Sequence, residues 1–239
     1  MTDEGNAAVK TIGLIGGMSW ESTAEYYRLL NEFTRDRLGG LHSARCVLYS
    51  VDFAEIEQLQ VQNRWTEAGE ILAAAAQALE AAGAEMILIC TNTMHKVADQ
   101  VGAAVSVPLL HLADATAEAV RASGLRRVGL LGTAFTMEQD FYRGRLEAGG
   151  LDVQVPDADG RALVHQVIYD ELCLGIVREE SRAAYQKVIT DLVAAGAEGI
   201  ILGCTEIELL IGAEDSPVPV FPTARLHAKA AVDAALPAD

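Results

Sequence analysis

Ala81-Ala82-Gly83-Ala84-Glu85-Met86-Ile87-Leu88-Ile89-Cys90-Thr91-Asn92-Thr93 is matched without a gap by Ala194-Ala195-Gly196-Ala197-Glu198-Gly199-Ile200-Ile201-Leu202-Gly203-Cys204-Thr205-Glu206. Both stretches open Ala-Ala-Gly-Ala-Glu, continue as a short apolar run, and stop at small, polar or sulfur-bearing residues. Self-similarity of this kind marks a duplicated structural unit and is the first thing to seek in a chain. Working outward, Ile12-Gly13-Leu14-Ile15-Gly16 resembles Val128-Gly129-Leu130-Leu131-Gly132, and Val107-Pro108-Leu109 resembles Val218-Pro219-Val220, in the same order. The chain reads as two copies of one α/β unit.

Short apolar runs bounded by Gly or Pro suit strands buried on both faces of a parallel sheet. They fall near residues 10–16, 45–51, 86–91, 107–110, 127–132, 152–155, 199–204 and 217–221. Helical stretches lie between them. The alanine-rich run from Thr66 to Ala82 predicts a helix closed by Gly83, and the run from Arg182 to Ala195 repeats it with Gly196 as the closing glycine. The fold expected is α/β: two pseudosymmetric doubly wound parallel-sheet lobes with the active site in the cleft between them. The first lobe takes 1–108 with a C-terminal helix over 223–239, and the second takes 109–222.

Composition narrows the function. Of 239 residues, 18 are basic and 34 acidic, a net charge of −16, and 51% are apolar. A pI near 4.6 opposes the phosphates of nucleic acids and the surface of an anionic membrane. The opening Met1-Thr2-Asp3-Glu4-Gly5 is acidic where a secretory signal is basic, which points to the cytoplasm. The four scattered cysteines, Cys46, Cys90, Cys173 and Cys204, fit reduced thiols rather than a disulfide framework.

Ligands on doubly wound sheets bind beyond the carboxyl ends of the strands. Those ends are Gly16-Gly17-Met18-Ser19, Cys90-Thr91-Asn92-Thr93, Gly132-Thr133 and Gly203-Cys204-Thr205-Glu206. The ungapped repeat sets Cys204 over Thr91 and leaves Cys90 over Gly203. If the copies face each other, Thr91 and Cys204 are the opposed pair. Two proton-handling groups on opposite sides of one carbon suit an enzyme that removes a proton from one face and returns one to the other.

These strings also carry a family resemblance. Thr11-Ile12-Gly13-Leu14-Ile15-Gly16-Gly17-Met18-Ser19-Trp20-Glu21-Ser22-Thr23, Cys90-Thr91-Asn92-Thr93-Met94-His95 and Gly203-Cys204-Thr205-Glu206 resemble the signatures of the aspartate/glutamate racemase superfamily. Gly39-Gly40-Leu41-His42-Ser43-Ala44 and Met137-Glu138-Gln139-Asp140-Phe141-Tyr142-Arg143-Gly144-Arg145-Leu146 bring the chain closest to the L-aspartate/glutamate-specific or broad-specificity amino-acid racemase branch. The resemblance implies a homodimeric isomerase that works without pyridoxal phosphate or metal, through two opposed acid/base residues. The family usually has a cysteine directly before Asn-Thr; this chain has Thr91 there, as the close branch does.

The catalytic expectation is therefore Thr91 and Cys204. A thiol lies near pKa 8.5 and falls toward neutrality at a helix N-terminus, whereas an alcohol is a poor base, so the two directions should run at unequal rates. Asn92, Thr93 and Thr205, with backbone N–H groups at helix starts, are expected to hold the α-carboxylate, and Thr133 is a further expected substrate contact. Glu206 is expected at the α-ammonium, and the resemblance adds Met18 and Gln60 as substrate contacts. The arginine and lysine that ordinarily grip a distal carboxylate have no counterpart. The second falls on Cys173, so uncharged amino acids stand beside aspartate and glutamate as substrates.

Other features read as structural. Cys46 and Cys173 fit a partly apolar interior, while His95, His111 and His165 fit hydrogen-bonded supports. Glu179-Glu180 and Pro237-Ala238-Asp239 read as solvated surface, and Trp20 with Tyr26-Tyr27 as core or subunit contact. No Gly-x-Gly-x-x-Gly nucleotide fingerprint is present. The alternatives are a same-fold decarboxylase or cis–trans isomerase of small dicarboxylic acids, and a non-catalytic two-lobed small-molecule binding protein.

Overall fold

The computed structural model describes residues 9–236, so the acidic start at Met1 to Gly5 and the tail Pro237-Ala238-Asp239 lie outside the described residues. The seven named strands are β1 (Ile12–Gly16), β2 (Cys46–Ser50), β3 (Met86–Ile89), β4 (Arg127–Gly132), β5 (Asp152–Gln154), β6 (Gly199–Gly203) and β7 (Val220–Pro222). They form two wholly parallel sheets, ordered β2-β1-β3 and β5-β4-β6-β7. Helices connect them, as parallel strands require crossovers. The α/β expectation is met.

The chain divides into two compact units. Among the described residues, one comprises 9–90, 97–111 and 227–236, and the other 91–96 and 112–226. The segment carrying Thr91 thus belongs with the residues that carry Cys204.

The duplication is visible in hydrogen bonds. In the first unit Glu85 N–H donates to the Thr11 carbonyl at 2.8 Å, and its carboxylate accepts from Thr11 N–H at 2.8 Å. In the second, Glu198 N–H donates to the Arg127 carbonyl at 2.8 Å, and its carboxylate accepts from the Arg126 and Arg127 N–H groups at 3.2 and 3.0 Å. The glutamate of each Ala-Ala-Gly-Ala-Glu therefore clasps the start of the neighbouring strand. These backbone donors hold the Glu198 carboxyl below its usual range.

Close packing explains the paired glycines as well. A Cβ on Gly13 would lie 2.8 Å from Ile87 Cδ1, and one on Gly129 would lie 2.8 Å from Ile200 Cδ1, the equivalent residue of the repeat. The two strands of each pair approach too closely for any side chain there.

In the first unit, α1 (Trp20–Leu38) starts at Ser19, whose hydroxyl accepts from Ser22 N–H at 3.3 Å as an N-cap. It buries Tyr26, Leu29 and Leu30 on one face. Next come α2 (Phe53–Val61) and α3 (Trp65–Ala81), the latter burying Leu72, Ala75, Ala76 and Leu79. The helix Glu179–Ala194 of the second unit begins a few residues before the expected Arg182. Gly83 and Gly196 follow the two helices with φ of 90° and 106°. The core of the second unit packs Val164, Tyr185, Ile189, Ile200 and Leu202 against Met137 and Leu131.

One expected strand is corrected. Residues 107–110 make only an isolated parallel bridge, Ile87 with Leu109. Ile87 N–H donates to the Pro108 carbonyl and Leu110 N–H to the Ile87 carbonyl. This is the place β7 occupies beside β6, where Ile200 pairs with Val220. The pairing stops after one rung, and Pro108 does not explain it, because Pro219 holds the equivalent place where β7 forms a ladder. Among the described residues, no helix is long and apolar enough to cross a membrane.

Candidate active site

Thr91 follows β3 and Cys204 follows β6, at equivalent points of the repeat. Both are partly exposed. Their neighbours Cys90, Asn92, Thr93, Thr205 and Glu206 are buried, as is Thr133. Partly exposed residues set among buried polar neighbours suit chemistry on a small ligand.

Thr91 is fixed from behind. His95 Nδ1 lies 2.8 Å from the Thr91 carbonyl, and Leu112 N–H donates to His95 Nε2 at 3.2 Å. An accepting Nε2 leaves Nδ1 to donate, so the ring is a neutral strut between the two segments. His165 has the same character, with Nδ1 accepting from Ala134 N–H at 3.2 Å and burial lowering its pKa.

Thr223, which the sequence alone did not single out, orients Asn92. Its hydroxyl donates to the Leu202 carbonyl at 2.9 Å and must therefore accept from Asn92 Nδ2 at 3.1 Å. That fixes the amide and turns Asn92 Oδ1 the other way. Oδ1 is buried and has no hydrogen-bond partner among the described residues. A buried orphan acceptor costs about 1–3 kcal/mol unless a ligand donor meets it. The signal in the sequence was Pro222-Thr223, a hydroxyl straight after a strand of the second copy, where the sheet's carboxyl end lies. Thr93 and Thr133 hydroxyls lie 3.3 Å apart, and Thr133 also meets the Thr136 hydroxyl at 3.3 Å while capping the helix Ala134–Glu138.

The electrostatics of Cys204 overturn one expectation. Its thiol donates to Glu206 Oε2 at 3.0 Å, and burial together with that carboxylate pushes the thiol well above its ordinary value. No depression occurs because no α-helix starts there. The residues after Cys204 form a five-residue 3-10 helix, Thr205–Leu209, with Glu206 and Glu208 in its first turn, and Thr93–Val97 after Thr91 is likewise 3-10. A short 3-10 turn sums few peptide dipoles, and a carboxylate against the sulfur outweighs them. Glu206→Gln should therefore lower the Cys204 pKa. The rate of iodoacetamide labelling at Cys204 would rise at a lower pH than in the parent, and an unmoved profile would mean the carboxylate does not act on the sulfur.

Cys90 is set apart. It is fully buried, desolvation drives its thiol far up, and its carbonyl accepts from the Ser22 hydroxyl at 3.0 Å. Cys46 and Cys173 are partly buried free thiols. Met18 and Gln60 are buried side chains of the first unit, one in the turn after β1 and the other in α2. The segment after Thr91 also carries Lys96, a half-buried cation whose pKa burial lowers. Among the described residues no three His, Cys, Asp or Glu side chains gather to hold a metal ion. A groove of about 510 Å³ bounded by Asp157, Leu163, Lys187 and Asp191 contains neither Thr91 nor Cys204.

Comparison with known proteins gives a consistent result. The family model described as Asp/Glu/hydantoin racemase matches residues 15–231. A crystal structure from Yersinia pestis, described as a candidate Asp/Glu racemase, is 58% identical with a TM-score of 0.90, covering 95% of this chain and 99% of that one. An aspartate racemase homologue from Pyrococcus horikoshii OT3 is 37% identical with a TM-score of 0.84 and the same coverage. The broad-specificity amino-acid racemase RacX of Bacillus subtilis is 22% identical over 228 residues, covering 92% of this chain and 96% of that protein.

Proposed function

Because the chain belongs to the Asp/Glu/hydantoin racemase family, we propose that it interconverts L- and D-amino acids by proton transfer at Cα, with Cys204 and Thr91 as the two acid/base residues. The observation that carries this reading is the equivalence of the two positions in the repeat, combined with their shared exposure among buried neighbours. Metal and pyridoxal phosphate have no part in the proposal. A cytoplasmic homodimer is included in it.

The protein's own groups supply the chemistry. The α-ammonium donates to Asn92 Oδ1, the orphan acceptor, with Glu206 as its assigned charge partner. The α-carboxylate is held by the hydroxyls of Thr93, Thr133 and Thr205. The arriving ammonium offsets the Glu206 charge, which brings the Cys204 thiol down toward its working range. Cys204 passes its proton to Glu206 Oε2, and the thiolate takes the Cα proton. The Thr91 hydroxyl then protonates the opposite face and takes a proton back from solvent, while Glu206 returns its proton to solvent as the product leaves.

The reverse direction starts from an alcohol, so it is slower. Thr91→Cys is expected to raise turnover of the slower enantiomer by about tenfold or more, because a thiol ionises far more readily than a hydroxyl. Chiral chromatography of each enantiomer separately reads this out; an unchanged slow direction would remove Thr91 from the mechanism.

Incubating the protein with L- and D-amino acids in deuterated water tests the function itself. Racemisation places deuterium on Cα and yields the opposite enantiomer. Release of carbon dioxide would indicate a decarboxylase, and binding without exchange a non-catalytic protein. A panel spanning aspartate, glutamate and uncharged amino acids defines the side chain preferred.

A further inference from the structure

We propose that Thr223 is a positioning residue through which the site selects the group on a ligand's α-carbon, taking an ammonium and refusing a second carboxylate. This deepens the racemase reading and rests on it for one point, the place of Asn92 at the α-ammonium.

The chain of hydrogen bonds has a single direction. The Leu202 carbonyl can only accept, so the one proton of the Thr223 hydroxyl goes to it, at 2.9 Å. The hydroxyl oxygen is then an acceptor, 3.1 Å from the Asn92 amide. Were the amide turned, Oδ1 would face an oxygen with no proton to give. Thr223 is fully buried and Asn92 is 4% exposed, so little solvent reaches the pair to relieve two opposed acceptors. Nδ2 is thereby held toward Thr223. Oδ1, without a partner among the described residues, is the end left for a ligand.

The duplication shows that this hydroxyl is not part of the shared scaffold. Matching Val107-Pro108 with Val218-Pro219 sets Leu112 over Thr223. Each opens a helix, and each is fully buried. Leu112 braces His95 with its backbone N–H, at 3.2 Å. A leucine therefore suffices at this point in the first copy, whereas the second buries a polar group there, which costs stability unless its hydrogen bonds are made. Those bonds end on β6 and on Asn92, the residue next to Thr91.

Selection follows from the fixed acceptor. An ammonium on the α-carbon gives Oδ1 a charged donor. A carboxylate in its place brings a second acceptor against the first, and a methyl group leaves Oδ1 buried and unpaired. Sites built around a buried polar group reject analogues that cannot pair with it. Amino acids are thus separated from small dicarboxylic acids, the substrates of the alternative same-fold chemistry.

Calorimetric binding of alanine, isobutyrate and methylmalonate tests this, because the three differ only in carrying ammonium, methyl or carboxylate on the α-carbon. Aspartate, methylsuccinate and ethane-1,1,2-tricarboxylate repeat the series with an acidic side chain. In at least one series the parent is expected to bind the amino acid at least about tenfold more tightly than either analogue. Thr223→Val keeps the shape but frees the amide to offer Nδ2, so the preference over the carboxylate analogue should fall at least about tenfold; Thr223→Ser should keep it. In an Asn92→Asp background both ends of the side chain accept, and adding Thr223→Val should no longer change the preference, which a merely structural threonine does not predict. Circular dichroism checks folding, with Thr223→Ala as the second variant should valine unfold the chain. A parent that binds neither amino acid or does not discriminate, a folded Thr223→Val or Thr223→Ala protein with the parent's preference, failure of both to fold, or a Thr223→Val effect undiminished beside Asn92→Asp would overturn the proposal. Selective binding without Cα exchange in deuterated water would instead remove the racemase reading and leave this one standing.

Discussion

Cys204→Ala lowers racemisation in both directions by on the order of 10²–10⁴-fold, the range lost with a positioned acid or base. Cys204 hydrogen-bonds Glu206 and packs at the edge of the second unit's core, so circular dichroism of the variant checks that the loss is chemical rather than a failure to fold. Deuterium exchange separates the two residues. With Thr91→Ala, Cys204 still removes the Cα proton and returns deuterium to the same face, giving exchange without inversion. With Cys204→Ala, exchange from that enantiomer disappears. Equal loss of exchange in both variants would contradict the division of roles.

Gly17→Ala is expected to cost ~2–4 kcal/mol of stability, combining a strained backbone with an overpacked contact. Gly17 has φ of 91°, and a Cβ there would lie 2.1 Å from the Val51 carbonyl oxygen and 2.8 Å from Ser50 Oγ. The backbone cannot easily yield. Val51 N–H is bound to the Gly16 carbonyl at 3.0 Å, and Gly17 N–H donates to Thr23 Oγ1 at 2.8 Å. Chemical denaturation reads the loss as a lower midpoint; an unchanged midpoint would mean the turn tolerates a side chain. Met18 follows directly, so activity should fall with stability.

Much of this architecture was legible in the order of residues. Apolar runs interrupted by Gly13 and Gly129, and the recurring Ala-Ala-Gly-Ala-Glu, encode strand pairs and their clasp because each depends on a local pattern that the chain states twice. The strand expected at 107–110 was misjudged because the same Val-Pro pattern precedes a paired strand in the second copy, Val218-Pro219 before β7, so the local residues do not distinguish the two. The role of Thr223 was hidden because its value lies in reaching Asn92, 131 positions away. The pKa of Cys204 was misread for a related reason: the sequence shows that residues follow a strand end, but not that they coil as a 3-10 turn with Glu206 against the sulfur.

By itself the sequence determined the duplication, the parallel α/β character and the matched positions of Thr91 and Cys204. These follow from periodicity and from glycines where strands crowd, properties written residue by residue. Only the tertiary structure decided which acceptor near the site lacks a donor among the described residues and which carboxylate the Cys204 thiol meets. Those depend on directions of hydrogen bonds and on burial, and both arise when segments far apart in the chain pack together.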